Sequence, residues 1–181
     1  MSARSRRRGL LIVYTGNGKG KTTSALGVAF RALGYGWKIC MVQFIKGTWK
    51  YGEMASIAEL GDRFELHRMG AGFYKILDDV QPEAVHREAA AAAAALTVEK
   101  LQSEAYDLVI ADELTVALGT GLVDAETVNR IVAARPQQVH LIITGRGAPD
   151  FLIESADLVT EMREVKHPFQ KGLKAQPGID Y

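Results

Sequence analysis

The stretch Thr15-Gly16-Asn17-Gly18-Lys19-Gly20-Lys21-Thr22-Thr23 constrains this chain more than any other. The apolar run Leu10-Leu11-Ile12-Val13-Tyr14 before it reads as a short buried strand, and residues 24–33 after it carry apolar side chains at helical spacing. Strand, glycine-rich turn and helix form the context of a phosphate-binding loop. Glycines let backbone N–H groups turn towards one point, and the positive end of the following helix completes an anion site. Gly16, Asn17, Gly18, Lys19, Gly20, Lys21, Thr22 and Thr23 are the expected contacts of a nucleoside triphosphate, ATP or GTP. Lys21 would reach a terminal phosphate, and the Thr22 hydroxyl would hold Mg2+. The common spacing G-x4-G-K-[ST] requires a glycine at position 15, where this chain has Thr15. A turn without a ligand needs neither two lysines nor paired threonines.

The remainder sets bounds. A chain of 181 residues, 48% hydrophobic and 24% charged, suits one globular domain with a continuous core. A net charge of +1 argues against nucleic acid or an anionic membrane as a partner. No apolar segment approaches the roughly 20 residues of a membrane span, and the N-terminus lacks the apolar region of a signal peptide. The single cysteine, Cys40, lies in an apolar run, so it reads as a core residue in a reducing cytoplasm. His67, His86, His140 and His167 are scattered without zinc-ligand spacing, and His86 reads as a surface residue.

Three units are expected: a basic arm over residues 1–9, an α/β domain over 10–163, and a tail over 164–181 that folds back near the site. The arm reads as solvated, or as a grip on polyphosphate or a neighbouring subunit. Further strands are expected over 37–45, 64–69, 139–144 and 158–162, and helices over 53–60, 82–105, 124–134 and 149–156. Pro82 would open the longest helix, whose seven consecutive alanines suit close packing on a sheet. Asp124 would cap the next helix. Tyr106-Asp107-Leu108-Val109-Ile110-Ala111-Asp112-Glu113 resembles a Walker B element, an apolar strand ending in two acids. Placed beside the first strand, it would turn Asp112 and Glu113 towards the phosphates, as candidate metal ligands with Thr22. Arg146 lies between two glycines at another strand end, placed to meet a phosphate. The loop 46–52 and the loop holding Phe73 and Tyr74 offer aromatic side chains for a flat ligand. The expected architecture is a doubly wound, mostly parallel α/β sheet of the RecA-like phosphate-loop kind, with ligands at the carboxyl ends of its strands.

Residues 16–23 resemble the shortened phosphate loop of the ATP:corrinoid adenosyltransferases of the cobalamin pathway. Val42-Gln43-Phe44-Ile45-Lys46-Gly47, Asp112-Glu113-Leu114-Thr115, Ile143-Thr144-Gly145-Arg146-Gly147 and Val165-Lys166-His167-Pro168-Phe169 are similar to that family's blocks, as is the ending Lys174-Ala175-Gln176-Pro177-Gly178-Ile179-Asp180-Tyr181. The resemblance runs from Gly9 onwards.

It implies that a reduced corrinoid, as cobalt(I), attacks the ribose 5′ carbon of ATP and triphosphate departs. Lys21 and Glu113 would be catalytic, with Lys19 and Mg2+ also stabilising the leaving group, and ATP would run in the opposite sense along the loop. Thr22 and Glu113 would lead the metal site, supported by Asp112. The resemblance also implies an aromatic wedge beneath the corrin, with Phe73 in one wedge position. Lys75 stands where the family has a tryptophan, leaving Tyr74 and Trp49 as candidate replacements. A homodimer and a flavodoxin-type electron donor are further implications. Two other functions fit the loop alone: a phosphate-loop kinase or ATPase, and a non-catalytic ATP-dependent corrinoid binder.

Overall fold

The computed structural model describes residues 8–46, 51–72, 74 and 81–181. Six parallel strands form one sheet: β1 (Leu11–Thr15), β2 (Ile39–Gln43), β3 (Phe64–Arg68), β4 (Leu108–Asp112), β5 (His140–Thr144) and β6 (Leu158–Glu161). Their order is β3-β2-β4-β5-β1-β6. The helices are α1 (Lys21–Leu33), α2 (Gly52–Ala58), α3 (Glu83–Gln102), α4 (Leu114–Gly119), α5 (Ala125–Ala133) and α6 (Asp150–Ser155). The sheet is doubly wound, as expected. None of the helices among the described residues is long and apolar enough to cross a membrane.

Both faces of the central strands are buried, which explains why they read as continuous apolar runs. Successive residues serve opposite layers. Ile12, Tyr14, Met41 and Ile110 pack with Ala25, Ala29 and Ala32 of α1, whereas Val13, Val42, Val109 and Ile143 pack with α3, α4 and α5. On α3, Ala90, Ala93, Ala94, Thr97 and Leu101 make the buried stripe. The alanine run is thus a smooth face laid on the sheet, against Cys40, Val42 and Val109 among others.

Three expectations about placement fail. The acid-bearing strand β4 does not lie beside β1: β5 is inserted between them, pairing with both. Strand order is decided by packing over the whole sheet, and the local pattern of β4 holds no record of its neighbour. His86 is 2% exposed, not on the surface. It lies on the inner side of α3, with its ring 5.0 Å from that of Tyr74. Pro82 is the N-cap of α3 and not its first helical residue. Asp124 does cap α5, its carboxylate accepting from the Thr127 N–H at 2.8 Å.

The fold also brings the ligand atoms of Cys40, Glu65 and His67 within 4.8 Å of one another. Glu65 is already engaged by Lys100, by His67 and by the Tyr106 hydroxyl. Burial, with Glu65 beside it, pushes the Cys40 thiol up to about 12. A protonated thiol and an adjacent ammonium disfavour a cation. This cluster closes the edge of the core.

The alanine face sets how closely α3 approaches the sheet. Ala93→Leu should cost about 1–3 kcal/mol through overpacking, read as a lower urea midpoint with unchanged slope. An unchanged midpoint would mean that α3 has room to spare.

Candidate active site

The phosphate loop owes its shape to the end of β6. Gly18 N–H donates to the Met162 carbonyl at 2.6 Å. A Cβ on Gly16 would lie 2.4 Å from that oxygen, and one on Gly18 2.8 Å from the Arg163 carbonyl carbon. Gly16 also has φ +93°, a conformation that a side chain would strain. These two glycines and the exposed Asn17 therefore build the back of the loop, while Lys19, Gly20, Lys21, Thr22 and Thr23 line the crevice. Thr15, standing where a glycine is usual, has a structural role. Its Oγ1 accepts from Ala148 N–H at 3.1 Å and ties down the chain after β5.

The crevice holds about 610 Å3 and is lined further by Lys46, Tyr51, Glu53, Ser56 and Glu113, and by Gly178 to Tyr181 of the tail. Lys21 is buried, and its Nζ donates to the Gly18 carbonyl at 2.7 Å. Burial lowers its pKa, opposed by Glu113, while Arg146 pushes the same way as burial. Lys19 Nζ lies 2.6 Å from Asp180 Oδ1, so the tail carboxylate reaches the loop.

Asp112 and Glu113 are neighbours in sequence with different surroundings. Asp112 is fully buried; its Oδ1 accepts from Thr22 Oγ1 at 2.8 Å and Thr144 Oγ1 at 2.7 Å. Its Oδ2 accepts from Gln43 Nε2 at 3.3 Å and faces Lys46 Nζ at 3.5 Å. Glu113 turns at φ +64° into the crevice, its N–H held by Thr144 Oγ1 at 3.0 Å. That left-handed turn is a local strain of the kind found at functional sites. Burial raises the Glu113 pKa, Asp112 adds to the rise, and Lys21, Lys46 and Arg146 oppose it. Thr22, Asp112 and Glu113 thus offer only oxygen donors, the set that suits Mg2+. Gln43 Oε1, buried beside Asp112, has no hydrogen-bond partner among the described residues.

Other expected residues stand apart. Arg146 is exposed and does not line the crevice, although its charge acts on Lys21 and Glu113. Tyr74 is not presented to a crevice but buried: it is 6% exposed, and its hydroxyl donates to Glu83 Oε2 at 2.7 Å. Its neighbours in the core, including His86, take the ring out of reach of a flat ligand. Phe73 and Trp49 lie outside the described residues, as does Lys75. Arg8 of the basic arm pairs with Asp157, at the opposite end of the strands from the phosphate loop.

The loop 46–52 was expected at the crevice, and its described residues Lys46 and Tyr51 line it; Thr144, Gln43 and Glu53 were not singled out. Lys46 is the most informative: its Nζ bonds Glu53 Oε1 at 3.1 Å and sits 4.8 Å above the Tyr51 ring. Burial would lower its pKa, but Asp112 and Glu53 outweigh burial and the net shift is upward. Two lysines and two aromatics in one short loop were the signal that pointed to it.

Residues 7–181 match the family described as ATP:corrinoid adenosyltransferase BtuR/CobO/CobP. A corrinoid adenosyltransferase of Pseudomonas aeruginosa is 44% identical, over 96% of this chain and 84% of that one. Another from Escherichia coli is 43% identical, over 96% and 86%. A corrinoid adenosyltransferase of Salmonella typhimurium matches at 43%, again over 96% and 86%. Among solved structures, the flagellar accessory protein FlaH of Methanocaldococcus jannaschii superposes with a TM-score of 0.55 at 14% identity, covering 86% of this chain and 71% of that one. That likeness shows the fold alone, a RecA-like α/β sheet. On the family match and these three relatives, the chain belongs to the ATP:corrinoid adenosyltransferases.

Proposed function

We propose that this chain transfers the 5′-deoxyadenosyl group of ATP to the cobalt of a reduced corrinoid, with residues 16–23 holding the departing triphosphate. The observation that carries the residue-level reading is the crevice itself, where Lys19, Lys21, Thr22 and Glu113 face one space. Cobalt(I) supplies the electron pair of the new cobalt–carbon bond, and the bond from C5′ to the triphosphate oxygen breaks with its pair on oxygen. Charge therefore grows on the leaving triphosphate, and preorganised cations and amides stabilise that change most effectively. Lys21 fills this role from a buried position, and Lys19 from the loop's exposed side. Mg2+, held by Thr22 and Glu113 with Asp112 in support, would add positive charge beside the same oxygens. Asp112 keeps the Thr22 hydroxyl oriented, as its 2.8 Å bond indicates.

Phe73 and Trp49 remain candidates for the corrinoid side, whereas the buried Tyr74 supports α3 instead. Arg146 is assigned to long-range stabilisation of phosphate charge, and the tail over 164–181 to one wall of the crevice. We place the enzyme in the cytoplasm as a homodimer served by a flavodoxin-type donor, a setting consistent with its one buried, protonated cysteine.

Incubation with ATP, Mg2+ and a chemically reduced corrinoid should give a light-sensitive cobalt–carbon product and inorganic triphosphate in equal amounts. ADP and phosphate without adenosylation would identify a kinase or ATPase, and binding without turnover a corrinoid carrier. Lys21→Ala should lower the adenosylation rate by about 10²-fold or more, the scale of losing one preorganised electrostatic donor. A near-normal rate in that variant would move the role to Lys19 or Arg146.

A further inference from the structure

Gly178 to Tyr181 line the crevice although they belong to no strand or helix. From Lys171 to Tyr181 every residue is exposed, so the tail makes little apolar contact with the domain beneath it. It meets the crevice walls at two points. Asp180 Oδ1 accepts from Lys19 Nζ at 2.6 Å. The main chain of Tyr181 passes the start of α2, where a Cβ on Gly52 would lie 3.8 Å from the Tyr181 carbonyl oxygen. The tail thus spans from the phosphate loop to α2 as the outer wall of the crevice. Asp180 Oδ2 accepts from Gln176 N–H at 2.8 Å, and Gly178 N–H donates to the Tyr181 carbonyl at 2.7 Å. One carboxylate therefore closes a turn with one oxygen and fastens that turn to the loop with the other.

This fastening conflicts with phosphate. Lys19 is a cation assigned to triphosphate, and its ammonium is the group that Asp180 holds. The Lys19 hydrogen bond, followed by that of Gln176 N–H, keeps the Asp180 carboxyl below the usual carboxylate range, so it is an anion at neutral pH. An ammonium has three protons to share, but two anions brought to one cation repel each other. Lys21 has no such rival, since it rests on the neutral Gly18 carbonyl. The side chains of Lys19 and Asp180 are 42% and 25% exposed, a setting in which an ion pair exchanges readily for a stronger one.

We propose that triphosphate displaces Asp180 from Lys19, so that residues 176–181 form a latch which opens as the nucleotide binds and recloses as triphosphate departs. This rests on the triphosphate reading of the loop above. Asp180 is a positioning residue in this scheme: it acts through Lys19 and assists release of the inorganic product.

Dissociation constants of inorganic triphosphate and of ATP, each with Mg2+, test this in the full chain carrying Asp180→Asn, Lys19→Ala or both. Asparagine removes the charge and keeps an oxygen for the Gln176 N–H. Asp180→Asn should bind triphosphate about two- to fivefold more tightly at low salt, the scale of an exposed ion pair, and the gain should fade at high ionic strength. It should be absent in the Lys19→Ala background, where the latch is already open. Damage to the fold would instead weaken binding. In the unaltered protein, triphosphate should speed hydrogen exchange at the amides of Gln176 and Gly178, which reads the opening directly. Binding no tighter in Asp180→Asn, or exchange that triphosphate leaves unchanged or slows, would overturn the proposal. If the unaltered protein binds neither ligand, the triphosphate reading falls and the latch with it.

Discussion

The site depends first on the burial of the Asp112 carboxylate. A carboxylate with no exposure is tolerated only when its charge and lone pairs are met. Here Thr22 brings the start of α1, Thr144 the end of β5, and Gln43 and Lys46 the end of β2. Several separate segments therefore converge on one side chain at the end of β4. The inserted strand β5 is what makes this possible. It sets Thr144 between the acidic strand and β1, and the same hydroxyl that donates to Asp112 also accepts from Glu113 N–H. That bond anchors the left-handed turn which delivers Glu113 to the crevice while Asp112 stays inside.

The phosphate loop is likewise shaped by the protein around it. The glycines expected for a ligand are required already by the fold, because the backbone of Met162 and Arg163 passes against Gly16 and Gly18. Gly18 commits its N–H to Met162, so the amides left to face a phosphate belong to the later part of the loop. Thr15 explains the shortened spacing physically: a side chain at that position bonds the chain beyond β5, which a glycine would leave untethered.

Much of this was legible in the sequence. The loop, the acidic strand end and the alternation of strands with helices are local patterns, and each maps to an element within a few residues. The position of β5 was not legible, since an apolar strand carries no label for its neighbours. The small helix α4 was hidden because it is six residues long and begins at a non-glycine residue in a left-handed conformation. His86 and Tyr74 were misplaced for a shared reason. Each looks like a surface or loop residue alone, and only their mutual packing, with the Tyr74 hydroxyl bonded to Glu83, makes a polar pair suitable for the interior. Glu53 escaped notice because an ordinary helical glutamate becomes a site residue only once α2 is seated on the crevice.

The two loop lysines differ in how readily they can be recruited. Lys21 rests on a carbonyl of its own loop, so exchanging that neutral acceptor for a phosphate oxygen gains a full charge interaction in a buried setting. Lys19 rests on the Asp180 carboxylate, and a partly exposed ion pair of this kind contributes about 0–1 kcal/mol. Neither contact is strong enough to compete with a triphosphate, yet both leave the ammonium groups hydrogen-bonded before the ligand arrives. The tail carboxylate offsets part of the positive charge that Lys19 brings to the crevice. A loop built this way favours a ligand whose charge rises during reaction. In the proposed reaction its lysines would gain most as the triphosphate departs, because the broken bond leaves its electron pair on the departing oxygen.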